Sequence, residues 1–477
     1  MLQPSLPQLL LLQCLITGGV WLLFARRREL PLRLQTLVLL IHVTCPALLL
    51  VKGNQSAIFL VDIIAPVLLA GMLISNTSHG SPRAVSTLNT WLVAMLIVVP
   101  MTTGIAAAAA GNMGEVGPRE LRETAIWFYR NVVFLCVFAL AARHQVNGTQ
   151  AIAISRMILL LSTVAAALGM VSYFGPINLA VFEQISSQQN FEWAETLQTN
   201  RIGSGFLGLF RASVGQWYAS VVLLAVASIA VLKGFHRIVA VTAVILGIGV
   251  ILLSFSRAGI VGLAAGLLVL VVLSPGFWQR IAAASVTAIG IAWFFLQSSL
   301  VADRVASIAT ASDDASQTRF SAWHRSVELF DKDMSLFLTG AGPGSRGRVF
   351  ELIGTYGAHN EYIDVVFRMG AGGVVLLAVV LLLIGRRLLQ QRQAAEPGAR
   401  AFVNAAIAIF VANCVMGLTQ DHLLHDYSGH QTGVFLYFIY GVAVAMQAAA
   451  PLEERVSQAA RSKPPNLLGG EPLSLQS

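Results

Sequence analysis

The feature that most constrains this chain is its succession of apolar segments, many close to twenty residues long and almost free of charge. That length suits an α-helix crossing the hydrocarbon core of a bilayer, which takes about 20 residues. The apolar residues do not alternate with a period of two, so helices are expected and an outer-membrane barrel is not. Only 11% of the 477 residues are charged and 56% are hydrophobic, with a mean hydropathy of +0.73. A soluble domain carries about 25% charged residues. The expected fold class is therefore an all-α polytopic membrane protein, with about 12–13 transmembrane helices and a partly helical cap on the outer membrane surface.

Candidate spans lie near 6–25, 34–51, 57–75, 88–110, 123–142, 151–173, 212–232, 236–254, 258–274, 280–298, 360–384, 401–420 and 432–449. The basic segments are Arg26 to Arg33, Lys233 to Arg237, Gln279-Arg280, Arg386 to Arg400, and the tail with Arg455, Arg461 and Lys463. Placing all of them in the cytoplasm gives one consistent alternation, as the positive-inside bias requires. The outer side then receives the regions around Lys52, 111–122, 175–211, 255–257, 299–358 and 421–431. Residues 1–298 read as the first ten spans with an outer loop at 175–211, 299–358 as a loop or cap, 359–450 as the last spans, and 451–477 as a disordered tail. Within the cap, Ser321 to Phe330 reads as a short helix and Gly340 to Gly347 as a glycine-rich turn.

A net charge of +8 does not indicate nucleic-acid binding, because the arginines are spread among short loops. Cys14, Cys45, Cys136 and Cys414 each fall in an apolar run, without metal-ligand or disulfide spacing. No cofactor or metal is expected. Arg26-Arg27-Arg28 follows the first apolar segment and does not precede it, which marks a membrane span and not a cleaved signal.

One histidine stands out. His359 lies where the longest outer polar stretch meets a membrane-length apolar segment, and imidazole is the usual proton-transfer group near neutral pH. If the helix runs through it at about 100° per residue, Gly370 lies roughly 20° and Gly373 roughly 40° from its direction. That face is expected to pack into the bundle, since glycines admit a neighbouring helix. The pattern alone leaves both a capping role and a chemical role open for His359. Asp364 and Arg368 read as a structural pair four residues apart, pointing away from His359. Arg201, Arg211, Arg257 and Arg319 all fall on the outer side, where arginine is disfavoured unless it serves a purpose. Guanidinium groups bind phosphate oxygens in pairs, so a lipid-linked diphosphate is a fitting ligand.

Several motifs resemble those of the O-antigen ligase and polymerase superfamily of bacterial inner-membrane glycosyltransferases. Phe255-Ser256-Arg257-Ala258-Gly259 is similar to its Ser-Arg-x-Gly turn, and Arg319 to Trp323 to its Arg-x-x-x-Trp helix start. Gly340-Ala341-Gly342-Pro343-Gly344-Ser345 resembles its glycine loop, and His359-Asn360 with Gly370 and Gly373 resembles the histidine signature of the ligases. The chain departs from the pattern at Ser335-Leu336-Phe337-Leu338, where an Asn-Pro pair is common. The resemblance implies transfer of a preassembled O-antigen glycan from undecaprenyl diphosphate to lipid A–core oligosaccharide, at the periplasmic face of the inner membrane. It makes His359 the essential histidine and Arg257 and Arg319 the essential arginines. Arg211 and Arg201 are added from topology alone, as further diphosphate ligands.

Alternatives within the class are an O-antigen polymerase and a protein O-oligosaccharyltransferase; the short stretch after the last span weighs against the latter. A flippase or transporter is disfavoured because the polar groups gather on one side and no inverted repeat is evident. Asp421, His422, His425, Asp426 and His430 look like metal ligands but sit in a short turn between spans, and read as a solvated loop.

Overall fold

The computed structural model describes residues 6–27, 30–42, 46–50, 56–74, 83–114, 117–175, 202, 207, 211–273, 314–355, 357–420 and 430–446. In chain order these form α1 (Leu6–Arg27), α2 (Leu32–His42), β1 (Pro46–Leu50), β2 (Ser56–Phe59), α3 (Leu60–Ile74), α4 (Arg83–Val93), a π-helical turn (Ala94–Val98), α5 (Val99–Ala109), α6 (Pro118–Arg143) and α7 (Gly148–Phe174). There follow α8 (Arg211–Ser228), α9 (Phe235–Leu253), α10 (Arg257–Leu273), α11 (Asp314–Lys332), α12 (Met334–Thr339), α13 (Arg346–Ile353), α14 (Glu361–Ala394), α15 (Pro397–Met416) and α16 (His430–Val444). Among the described residues, six helices are long and apolar enough to cross a bilayer, and six shorter apolar helices accompany them. Val272 and Leu382 are 75% and 72% exposed, a placement that suits lipid and not water. The span expected at 280–298 lies outside the described residues.

Backbone polar groups in a bilayer must find partners inside the protein, and the breaks in these helices show how. Pro66, inside α3, has no N–H to offer the carbonyl of Asp62 four residues back. The Tyr129 hydroxyl donates to that carbonyl at 2.9 Å. Pro100 likewise cannot pair with Leu96, and the π-helical turn lies just before it. Helix starts carry their own caps: Asn147 and Gln150 exchange side-chain-to-backbone bonds at the head of α7.

One expectation fails locally, and another holds with different bounds. The span near 34–51 is a helix only to His42, and Pro46–Leu50 pairs antiparallel with Ser56–Phe59. The run of leucines at 48–50 is as compatible with a strand as with a helix, since periodicity cannot separate short apolar runs. The helix expected at Ser321 to Phe330 extends over Asp314–Lys332, and the glycine turn gives way to α13 at Arg346.

The bundle has two polar ends. At one, Arg392 donates to the Leu273 carbonyl and to Asn404, while Arg387 and Gln391 donate to Val444. Side chains of α14 thus satisfy the carbonyls left open where other chain segments end. This end holds Arg33, close to His144 at the end of α6, and the basic segment 386–400. The other end gathers residues 111–114, 117–124, 202, 211–215, 253–262, 335–345, 357–364 and 416–420.

Candidate active site at one end of the bundle

At this end α8 and α10 meet backbone to backbone. A Cβ on Gly259 would lie 2.7 Å from the carbonyl carbon and oxygen of Gly215, and one on Gly215 would strike the Ser256 side chain. Only two glycines allow this approach. Ser256 precedes α10 and accepts from the Gly259 N–H at 3.2 Å, capping the helix. Arg257 is therefore the first residue of a capped helix, half-buried, with Arg211 the first residue of α8 one turn before Gly215. Two helix N-termini lie side by side, each adding partial positive charge to that of its arginine. The Ile202 N–H donates to the Leu253 carbonyl at 3.2 Å, fastening the incoming chain below them. Gly259→Ala is expected to spread the two helix ends and cost about 1–3 kcal/mol of stability. Thermal unfolding of the purified variant checks this; an unchanged midpoint would show that the contact is dispensable.

One turn further along α10, a Cβ on Gly262 would collide with Met416 at the end of α15. The next residue, Gly417, accepts from the Glu361 N–H at 2.8 Å, and Asn360 donates to the Leu418 carbonyl at 3.0 Å. The same few residues at the end of α15 thus support both the Arg257 helix and the His359 turn.

His359 does not belong to the helix that follows it. Asn360 is the N-cap of α14, and its side chain accepts from the Tyr362 and Ile363 N–H groups. That cap stops the helix from extending backward. His359 itself adopts φ +51, in the left-handed region, and its side chain is exposed. The expected helical phase between His359, Gly370 and Gly373 fails a second time at Gly370, whose φ of +65 interrupts α14. Exposure follows from the turn: His359 is lifted off the bundle instead of packing into it.

Both peptide groups flanking Ala358, on the N-terminal side of the turn, are held. The Ala358 carbonyl accepts from the Trp323 indole at 2.7 Å, and the Ala358 N–H donates to Asp364 Oδ1 at 2.8 Å. Asp364 was expected to point away from His359; it is buried and grips the preceding residue. Its place in the first turn of α14 aims it back along the chain. Arg319, half-buried, lies one turn before Trp323 on the same face of α11.

The glycine loop fastens this assembly to the bundle. Residues 340–345 are all buried. Gly340 has φ +71 and Gly342 φ +94. A Cβ on Gly344 would strike Thr124 of α6, and one on Gly342 would lie 3.2 Å from Met113. Asn112 donates to Ser335 and Thr339 at 2.9 and 3.0 Å. The loop is a buried joint and not an open cradle for phosphate.

Arg211, Arg257, Arg319 and His359 thus belong to segments joined at one end of the bundle. Arg201 lies outside the described residues, as does 421–429 of the acidic and histidine-rich turn, and the side chain of His430 is likewise undescribed. Sequence reading missed Trp323 and Asp364 as supports of His359 and Gly215 as the partner of Gly259. The N-cap signal of Asn360 was legible, because asparagine before an acidic first turn is a standard helix start.

These features define a multi-pass helical membrane protein in which arginine- and histidine-bearing segments gather at one end of the bundle. Residues 241–378 match the family model described as O-antigen ligase. The matched stretch contains Arg257, Arg319, His359 and Gly370, and leaves out Arg201 and Arg211. No curated protein matches the chain.

Proposed function

We propose that this protein is an O-antigen ligase. It moves a preassembled glycan from undecaprenyl diphosphate to lipid A–core oligosaccharide at the periplasmic face of the inner membrane. The observation that carries the reading is an exposed histidine on a fully braced left-handed turn, at the bundle end where Arg257 opens a capped helix. Strained backbone held by surrounding bonds is a signature of functional sites. The family match over residues 241–378 supplies the reaction class.

In the proposed reaction neutral His359 takes the proton of the acceptor hydroxyl as its oxygen bonds to the anomeric carbon. The bond from that carbon to the diphosphate oxygen breaks, and undecaprenyl diphosphate leaves. Its developing charge is met by Arg257, Arg319, Arg211 and Arg201 and by the helix N-termini. A single displacement inverts the anomeric centre. The reaction is metal-independent in this scheme, so transfer should persist in the presence of a chelator.

The test is transfer by the purified protein in detergent, offered lipid A–core, a lipid-linked glycan or a pilin-type protein as acceptor. Product on lipid A–core alone supports the ligase. Product only on the lipid-linked glycan would make it a polymerase, and glycan on protein would make it an O-oligosaccharyltransferase. No transfer to any acceptor, with vectorial movement of donor in sealed vesicles, would replace the reading with a flippase. Arg257→Ala should lower kcat/KM for the donor about 10²- to 10³-fold, and Arg257→Lys should recover little, since lysine lacks the planar fork.

A further inference from the structure

Resting on the reading of His359 as the base, we propose that Trp323 and Asp364 are positioning residues that set the direction of its imidazole. They act through the peptide groups of Ala358 and touch no substrate. The backbone torsion φ of His359 is measured from the peptide plane it shares with Ala358. The Trp323 indole fixes that plane by donating to the Ala358 carbonyl at 2.7 Å. Asp364 fixes the plane before it, accepting from the Ala358 N–H at 2.8 Å. On the far side, the Glu361 N–H is tied to the Gly417 carbonyl at 2.8 Å, and Asn360 is tied to Leu418 and to the first turn of α14.

A left-handed conformation outside glycine is costly and persists only when its surroundings over-determine it. Here four consecutive residues, 358 to 361, each carry a bond that holds the turn, except the histidine, whose side chain is exposed for chemistry. Asp364 is well chosen for its part: a carboxylate accepts an N–H more strongly than a neutral group does, and the first turn of a helix stabilises its charge. Trp323 adds a second consequence. Arg319 lies one turn before it on the same face of α11, so the indole bond also registers the Arg319-bearing helix against the histidine.

Four variants of the full-length protein, assayed for transfer from undecaprenyl-diphosphate-linked glycan to lipid A–core, decide the matter. Trp323→Phe keeps an aromatic ring against Phe320, its neighbour at 5.3 Å, and removes the indole N–H together with one ring of the bicycle. Asp364→Ala removes the acceptor; Asp364→Asn keeps an oxygen that accepts from Ala358. Trp323→Phe and Asp364→Ala should each lower kcat about 10- to 100-fold, as a misaimed catalytic group does. KM for donor and acceptor should stay within about twofold, and Asp364→Asn should recover most of the rate. Should Asp364→Ala fail to fold, Trp323→Phe carries the test alone.

Wild-type kcat in Trp323→Phe and Asp364→Ala would overturn the proposal. So would a loss confined to KM, which indicates substrate contact, or an Asp364→Asn as impaired as Asp364→Ala, which indicates a role other than accepting from the Ala358 N–H. His359→Ala separates this from the underlying reading. If that variant turns over normally, the assignment of the base fails; if it is inactive while the other variants are unaffected, only the positioning proposal fails.

Discussion

His359→Ala is expected to reduce glycan transfer by about 10²- to 10⁴-fold, the usual worth of a positioned general base. Folding should not suffer, because the imidazole is exposed and the bonds that hold the turn come from Ala358, Asn360 and Glu361. His359→Gly sharpens the contrast. Glycine adopts a positive φ without the penalty of a Cβ, so this variant should be as stable as the wild type or more so, by up to about 1 kcal/mol, and still inactive. Stability and activity would then move in opposite directions at one position, as happens where a site stores strain. Thermal unfolding in detergent beside the transfer assay checks both. A His359→Gly protein with full turnover would remove the imidazole from the mechanism.

Gly370→Ala should have the largest structural effect of any single methyl addition in α14. The residue sits at φ +65, and a Cβ there would collide with the Leu338 carbonyl of α12. Gly340, across the joint, meets the Phe367 and Val366 carbonyls, and the Ala341 N–H donates to the Phe367 carbonyl. The break in α14 thus leaves a carbonyl free that the glycine loop satisfies. A left-handed alanine costs about 1–2 kcal/mol and overpacking another 1–3 kcal/mol. The unfolding midpoint should fall by several degrees, with proteolysis appearing first in the region 314–353. An alanine variant as stable as the wild type would mean that α12 docks elsewhere.

How much of this was legible beforehand follows from where each constraint resides. The helices at 6–27, 118–143, 148–174 and 235–253 are visible in the sequence because the bilayer dictates length and polarity within a single segment. That Arg211, Arg257 and Arg319 belong to one end of the bundle was legible through charge bias, and the prominence of the histidine through its position where a polar stretch meets an apolar one. The geometry joining them was not. That Asp364 reaches Ala358 and Trp323 reaches the same residue depends on a left-handed turn, which no local pattern encodes for a histidine. Gly370 reads equally well as a small residue inside a continuous helix and as a break; only the arrival of Leu338 and Gly340 decides between them. Gly215 and Gly259 are 44 positions apart in the sequence, and nothing in either segment names the other as partner.

The shared footing at the end of α15 has a mechanical consequence. Membranes thicken, thin and bend, and helices tilt to follow them. Groups mounted on separate helices would drift apart under such motion. Here the helix opened by Arg257 packs on Met416, and the turn carrying His359 is bonded to Gly417 and Leu418. A tilt of that one helix carries both as a unit, so the gap between the two side chains is insulated from the state of the surrounding lipid.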